Sequence, residues 1–181
     1  MTTDPAVPGA ALVRPRRPAD LDGCVAALAL VHEHSGYPVD WPEQPAAWLT
    51  PAGLLAGWTA DLDGRVVGHV ALCAAEEGDA AATLWSARPD RPAPAVISRL
   101  YVSPDARGHG VGAALLERAV AAARGRGLHP VLDVVAADPA AAFYERLGWH
   151  SLGTVVQQWG AARRVLLNCY AAPPSDEPSA R

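Results

Sequence analysis

Apolar positions along the chain switch between a helical and an alternating period, and the switches outline its elements. After a short strand at residues 12–14, Val25, Leu28 and Val31 fall on one helical face. With Asp20 and Asp22 in the first turn, they predict a helix from Pro18 to Ser35-Gly36. Val111, Leu115, Leu116 and Val120 repeat the helical spacing and predict a second long helix to Arg124. Residues 58–62 and 65–73 read as strands, with Asp63-Gly64 between them as a two-residue hairpin turn. Residues 96–102 form a further strand stopped by Ser103-Pro104, and 131–135 a nearly continuous apolar strand interrupted by Asp133. Asp138-Pro139 opens a helix through Phe143 to Leu147 as N-cap and first helical proline, and Gly148 closes it. Residues 150–158 and 163–170 make a last antiparallel pair. The order is hairpin, strand–helix–strand–helix, hairpin, a mixed α/β domain over 11–170 with flexible tails at 1–10 and 171–181.

Two stretches resist a periodic reading. Residues 37–53 are crowded with Pro and Trp and admit at most a short helix around 46–49. Residues 76–94, rich in Pro and Ala, read as a long loop, of a kind that is functional or disordered.

Composition narrows the function. The chain has 181 residues, 50% hydrophobic and 19% charged, which suits one folded domain. A net charge of −4 argues against a nucleic-acid partner held through phosphates. All 15 Lys-or-Arg positions are Arg, so no internal lysine can accept an acyl group. Cys24, Cys73 and Cys169 are too few and too far apart for a disulfide framework, and the six histidines lack metal-ligand spacing, so no metal is expected. The start carries no signal-peptide pattern and no apolar run is long enough to span a membrane. A cytoplasmic protein without a membrane partner is expected.

The run Arg107-Gly108-His109-Gly110-Val111-Gly112 carries the clearest chemistry. Glycines let the backbone turn several N–H groups toward one anion, the following helix adds its free amides and dipole, and Arg107 can pair with phosphate. Gly108, Gly110 and Ala113 also satisfy the dinucleotide pattern G-x-G-x-x-A, with Asp133 downstream. Against that NAD-binding Rossmann reading, four residues separate the strand from the glycines, Asp133 lies inside its strand, and the chain ends in antiparallel strands. A plain structural turn is the third reading.

The same run resembles the R/Q-x-x-G-x-G/A signature of the GNAT superfamily of N-acetyltransferases. Leu100-Tyr101-Val102-Ser103-Pro104 is similar to that family's strand lead-in. Residues 142–149, Ala-Phe-Tyr-Glu-Arg-Leu-Gly-Trp, look like its A-x-x-F/L-Y-E-x-L-G-F segment, and Asp63-Gly64-Arg65-Val66-Val67-Gly68 its D-G-x-x-V-G hairpin. The resemblance covers roughly residues 12–170. It implies a mostly antiparallel mixed sheet flanked by helices, with two central parallel strands that splay apart around pantetheine. It implies acetyl-CoA as donor, with the pyrophosphate held at Arg107, Gly108, His109, Gly110, Val111 and Gly112. Backbone groups of Leu100, Tyr101 and Val102 would bond the pantetheine, and Asp138 stands where the family often has an Asn that touches it. Capping its helix is also a sufficient reason for Asp138.

Amine attack on a thioester needs a base, oxyanion donors and an acid for the leaving thiolate. The resemblance makes Tyr144 the acid; packing is the plainer role for a tyrosine there. Asp133 is the preferred base, since a carboxylate in an apolar strand is costly unless paired or functional; an Arg salt bridge is the alternative. The strand at 96–102 offers Ser98 and Arg99 where other members carry a glutamate, which leaves a water relay through Ser98, Glu76 or Glu77. His69 and His109 read as bystanders. By the family's layout the acceptor lies between the connection after the first helix, with Tyr37, Asp40, Trp41, Glu43 and Trp48, and the last hairpin, with Gln157, Gln158 and Trp159. Aromatics with carboxylates suit a cationic amine; they also suit a packed lid. The expectation is direct acetyl transfer, through a tetrahedral intermediate, to a primary amine. A small molecule is favoured, a protein N-terminus is the other acceptor considered, and a homodimer is admitted. The alternative from another class is a non-catalytic acyl-CoA-binding sensor or partner-binding module.

Overall fold

The structure, a computed structural model, describes residues 9–175. The ends of both expected tails, 1–8 and 176–181, lie outside the described residues. In chain order the elements are β1 (Leu12–Pro15), α1 (Leu21–Ser35), α2 (Pro45–Trp48), β2 (Leu54–Leu62), β3 (Arg65–Ala74), α3 (Ala80–Ser86) and β4 (Pro94–Val102). Then follow α4 (Val111–Gly125), β5 (His129–Val135), α5 (Ala140–Arg146), β6 (His150–Trp159) and β7 (Arg163–Ala171). Seven strands form a mostly antiparallel sheet in the order β1-β2-β3-β4-β5-β7-β6, with β4 and β5 parallel. The expected fold class is the one observed. Among the described residues, no helix is long and apolar enough to cross a membrane.

The chain divides into two compact units. The first comprises the chain up to Ala71 with Arg99–Ala119. Its core forms because α1 presents Cys24, Ala27, Leu28 and Val31 on one face, as their spacing predicts, against Leu49 and Tyr101. Full burial of one such side chain, Leu28 for example, contributes about 2 kcal/mol. The Tyr101 hydroxyl donates to the Cys24 carbonyl at 2.8 Å, so the one polar group in that contact is satisfied. At the helix entrance the expected order is refined. A 3-10 turn over Pro18–Asp20 precedes α1, and Asp20 accepts both guanidinium nitrogens of Arg14 at 2.7 and 2.9 Å. The hairpin turn is as expected, with Asp63 and Gly64 both left-handed at φ 53° and 81°, as a type I′ turn demands.

The second unit comprises Leu72–Ser98 and the chain from Val120 on. Here α3 corrects the reading of 76–94 as loop: Ala80, Ala81, Ala82 and Trp85 are buried against Val96, Val131, Leu167 and Cys169. Its prolines, Pro89, Pro92 and Pro94, all follow the helix, so the Ala-rich first half keeps its strong helical preference. The Trp85 indole donates to the Pro92 carbonyl at 2.9 Å and stacks on His129 at 3.8 Å, which folds the proline stretch back. Strands β4 and β5 each start two residues earlier than expected because Pro94 pairs with His129. The parallel register ends at Val96↔Val131. β7 reaches Ala171, and the Ala172 amide donates to the Pro130 carbonyl at 3.0 Å.

Candidate active site

In the first unit the glycine run leaves β4 through a 3-10 turn over Pro104–Ala106 and enters α4. Gly108 and Gly110 sit at φ 80° and 76°, a conformation that L side chains avoid. A β-carbon at either would meet nothing within 4 Å. The backbone therefore bends for conformational reasons and is exposed just ahead of a 15-residue helix. His109 is exposed, its Nδ1–H donating to the Arg107 carbonyl at 2.9 Å. Arg107 is also exposed, and its Nε–H donates to the Val102 carbonyl at 3.1 Å, tying the loop to the end of β4. Val111 is buried and Gly112 half-buried at the helix start.

The end of β4 is not a regular strand. Arg99 sits at φ 53°. Beyond it the side chain of Tyr101 is buried, while Leu100 and Val102 are half-buried. Arg99 is gripped on its side chain as well: its Nε–H donates to the Trp48 carbonyl at 2.6 Å, and its guanidinium lies 4.7 Å from the Trp48 ring centre. Beside it, His69 of β3 is fully buried. Sequence reasoning set His69 aside as a bystander. The structure gives it two polar partners, the Arg99 carbonyl and Arg16, and a stacked Tyr101 ring 5.4 Å away.

The segment expected to meet the acceptor lies in the same unit. Tyr37 meets Trp48 edge-on at 6.4 Å and packs on the α1 core. Trp41 is exposed, 39%, and lies 5.3 Å from the His32 ring. Arg99 occupies one face of Trp48, so that face is not offered to a cationic ligand.

In the second unit Tyr144 is buried on α5 among Phe143, Trp149 and Tyr170, at ring separations of 5.2, 5.9 and 6.0 Å. The Asp138 Oδ1 accepts the Ala140 amide at 2.8 Å just ahead of α5, but the N-cap position falls on Pro139 and the first helical residue is Ala140, one residue later than expected. Asp133 is half-buried on β5. Burial raises its pKa above the ordinary carboxylate value, Asp79 adds to the rise, and the Ala81 amide opposes it. Among the described residues no Arg forms an ion pair with Asp133, so the salt-bridge alternative fails.

Asp133 pairs with Cys169, and both belong to the face covered by α3; Leu132 pairs with Tyr170 on the face that meets Tyr144. Tyr144 and Asp133 thus project from opposite faces of β5–β7. Ser98 lies 3.7 Å from the Cys73 sulfur. Gln157 is engaged at both ends of its amide, donating to the Gly78 carbonyl at 2.8 Å and accepting from the Trp159 indole at 2.9 Å. Glu76 and Glu77 are exposed. Among the described residues, no group of three or more His, Cys, Asp or Glu could hold a metal.

A search of the curated proteins finds no match. Solved structures share the fold. Arabidopsis thaliana NAA60 in complex with acetyl-CoA aligns at TM-score 0.65 and 18% identity, over 89% of this chain and 98% of that one. A putative acetyltransferase, yncA, from Salmonella typhimurium with its cofactor acetyl-CoA aligns at 0.63 and 21%, over 95% and 98%. The ribosomal-protein-alanine N-acetyltransferase of Brucella melitensis aligns at 0.60 and 25%, over 88% and 98%. The acetyltransferase (GNAT) family profile matches residues 24–149. The chain belongs to the acetyltransferase (GNAT) family.

Proposed function

We propose that this acetyltransferase moves the acetyl group of acetyl-CoA onto the primary amine of a small molecule by direct attack, with no covalent enzyme intermediate. The observation that carries the reading is the loop at Gly108 and Gly110, where left-handed backbone and the absence of β-carbons leave amides accessible ahead of α4. That geometry fits a pyrophosphate. Amides of Gly108, His109, Gly110, Val111 and Gly112 would hold it, with Arg107 adding charge. Backbone groups of Leu100, Tyr101 and Val102 would take the pantetheine, and Asp138 is a further proposed pantetheine contact. Acetyl-CoA supplies the acetyl thioester; the chain supplies the proton transfers.

Tyr144 would donate its phenolic proton to the departing sulfur, since a phenol stays protonated at neutral pH. Asp133 would take a proton from the amine nitrogen as it bonds to the carbonyl carbon and the C–S bond breaks. Its raised pKa brings it closer to a base's working range.

Tyr37 and Trp41 of the first unit are proposed acceptor contacts, and Ser98 of the second unit is proposed separately as a substrate contact. Gln157 is better read as a fastener than as a direct contact, because both ends of its amide are engaged within the protein. The bond from Gln157 to Gly78 ties β6 to the turn before α3.

Calorimetric titration with acetyl-CoA, CoA and NAD(H), followed by thiol release with a panel of small amines and N-terminal peptides, tests the reading. Acetyl-CoA binding with thiol release driven by a small amine is expected. Release with peptides alone would move the acceptor to protein N-termini. Binding without release would favour a non-catalytic sensor, and no coenzyme binding would remove the loop assignment.

A further inference from the structure

We propose that His69 is a positioning residue for the coenzyme strand: as the Nδ1–H imidazole it pins the left-handed kink at Arg99 and thereby sets the backbone of Leu100–Val102. The role rests on the assignment of that backbone to pantetheine made above. The bonding pattern fixes the tautomer. Nδ1 lies 2.9 Å from the Arg99 carbonyl, which can only accept, so Nδ1 carries the proton. Nε2 lies 3.0 Å from Nη1 of Arg16, which can only donate, so Nε2 is bare. Full burial and the stacked Tyr101 ring leave the imidazole no other orientation that satisfies both partners.

The kink needs such a grip. Arg99 is a non-glycine residue at φ 53°, which persists in proteins only where surroundings over-determine it. Its side chain is held by Trp48 and its carbonyl by His69, so the chain is anchored on both sides of the kinked residue's Cα. The ring's other partner, Arg16, reaches the Leu49 carbonyl at 2.6 Å and the Thr50 hydroxyl at 3.0 Å. One imidazole thus joins the kink in β4 to the segment that follows α2.

Two amide substitutions divide these contacts. His69→Asn can place an amide N–H near the position of Nδ1 and donate to the Arg99 carbonyl; His69→Gln can place an oxygen near Nε2 and accept from Arg16 without reaching that carbonyl. His69→Leu loses both. We expect acetyl-CoA affinity to remain within about twofold for His69→Asn and to fall about tenfold for His69→Gln and His69→Leu. Thermal midpoints measured alongside separate this from general loosening. Equal affinities in Asn and Gln variants of matched stability would overturn the role, even if His69→Leu does not fold. Independently of any ligand, 15N shifts of His69, assigned by difference from His69→Asn, should report a protonated Nδ1 and a bare Nε2. The opposite tautomer would overturn the proposed contact. Wild-type protein that shows this tautomer but binds no acetyl-CoA would instead overturn the coenzyme assignment, and the positioning role with it.

Discussion

Asp133 and Cys169 stand opposite each other in the β5–β7 register, on the face that α3 covers. That placement desolvates the carboxylate and raises its pKa, and the thiol beside it is pushed up to about 11, by burial first and by Asp133 second. A carboxylate so placed opposes folding when ionised, so its removal should stabilise the protein while impairing it. For Asp133→Asn we expect a higher thermal midpoint. The gap over the wild type should widen as pH climbs past the ordinary carboxylate range, because a raised native pKa means stability is lost with rising pH. The acetylation rate should fall by about 100-fold or more, and its acid limb should flatten. An unchanged pH–rate profile would exclude Asp133 as the base.

Tyr144 packs three aromatic neighbours that a phenylalanine would also fill. Tyr144→Phe should therefore cost no more than about 1 kcal/mol in stability, the scale of one hydrogen bond, yet lower the turnover rate by about 100-fold. Acetyl-CoA affinity, measured by calorimetry, should barely change. A variant with wild-type turnover leaves Tyr144 a packing residue.

At Gly110 there is room for a side chain but not the right backbone for one. Gly110→Asp should lose about 1 kcal/mol of stability to the left-handed conformation. Its added charge should weaken acetyl-CoA binding more than tenfold, whereas Gly110→Asn, which tolerates that conformation, should bind better than Gly110→Asp. Equal affinities for the two variants would mean that no phosphate sits there.

Acid unfolding should show two separable contributions from the first unit. His69 is held down to about 4, by burial first, with Arg16 and Arg99 opposing its protonation and the Arg99 carbonyl favouring it. It faces Tyr101, whose own pKa burial raises. The unfolded imidazole takes its proton near 6.5, so the stabilisation tied to neutral His69 is complete above that pH and drains away down to about 4. Asp20, held near 2 chiefly by its hydrogen bonds to Arg14, contributes stability that is full above 3.8 and lost as pH falls through about 2. Denaturant titrations across this range should show His69→Asn flattening the upper window and Asp20→Asn the lower. Coincident curves for the wild type and His69→Asn between pH 6.5 and 4 would rule out a buried neutral imidazole.

The Gln157–Gly78 bond should matter to the acceptor alone. Gln157→Ala is expected to raise KM for the amine several-fold while leaving KM for acetyl-CoA unchanged, as steady-state kinetics would show. Equal movement in both constants would remove Gln157 from any role at the acceptor.

Much of the fold was legible because its signals are local. Alternating residues flanking Asp63-Gly64 declare a hairpin, and Val111, Leu115, Leu116 and Val120 declare α4, within a few residues of chain. The glycine loop is local too. Helix α3 was obscured because three prolines close behind it colour the whole stretch, and its helix depends on a sheet face that the local pattern does not reveal. The contacts of His69 are not legible for a different reason. Its partners lie 30 and 53 residues away, and neither Arg16 nor Arg99 shows any pattern that points to it. A visible clue was a lone ionisable residue in the apolar strand from Val66 to Cys73, the same clue that drew attention to Asp133.

With the acceptor amine placed as proposed, near Tyr37 and Trp41, Arg99's place over Trp48 bears on which amines can react, and not only on which can bind. An ammonium ion brought beside a fixed guanidinium is penalised relative to its neutral form, which lowers its basicity. Selection among acceptors would then follow proton affinity. Weakly basic amines, already half deprotonated in water, would outrun strongly basic alkylamines of the same shape.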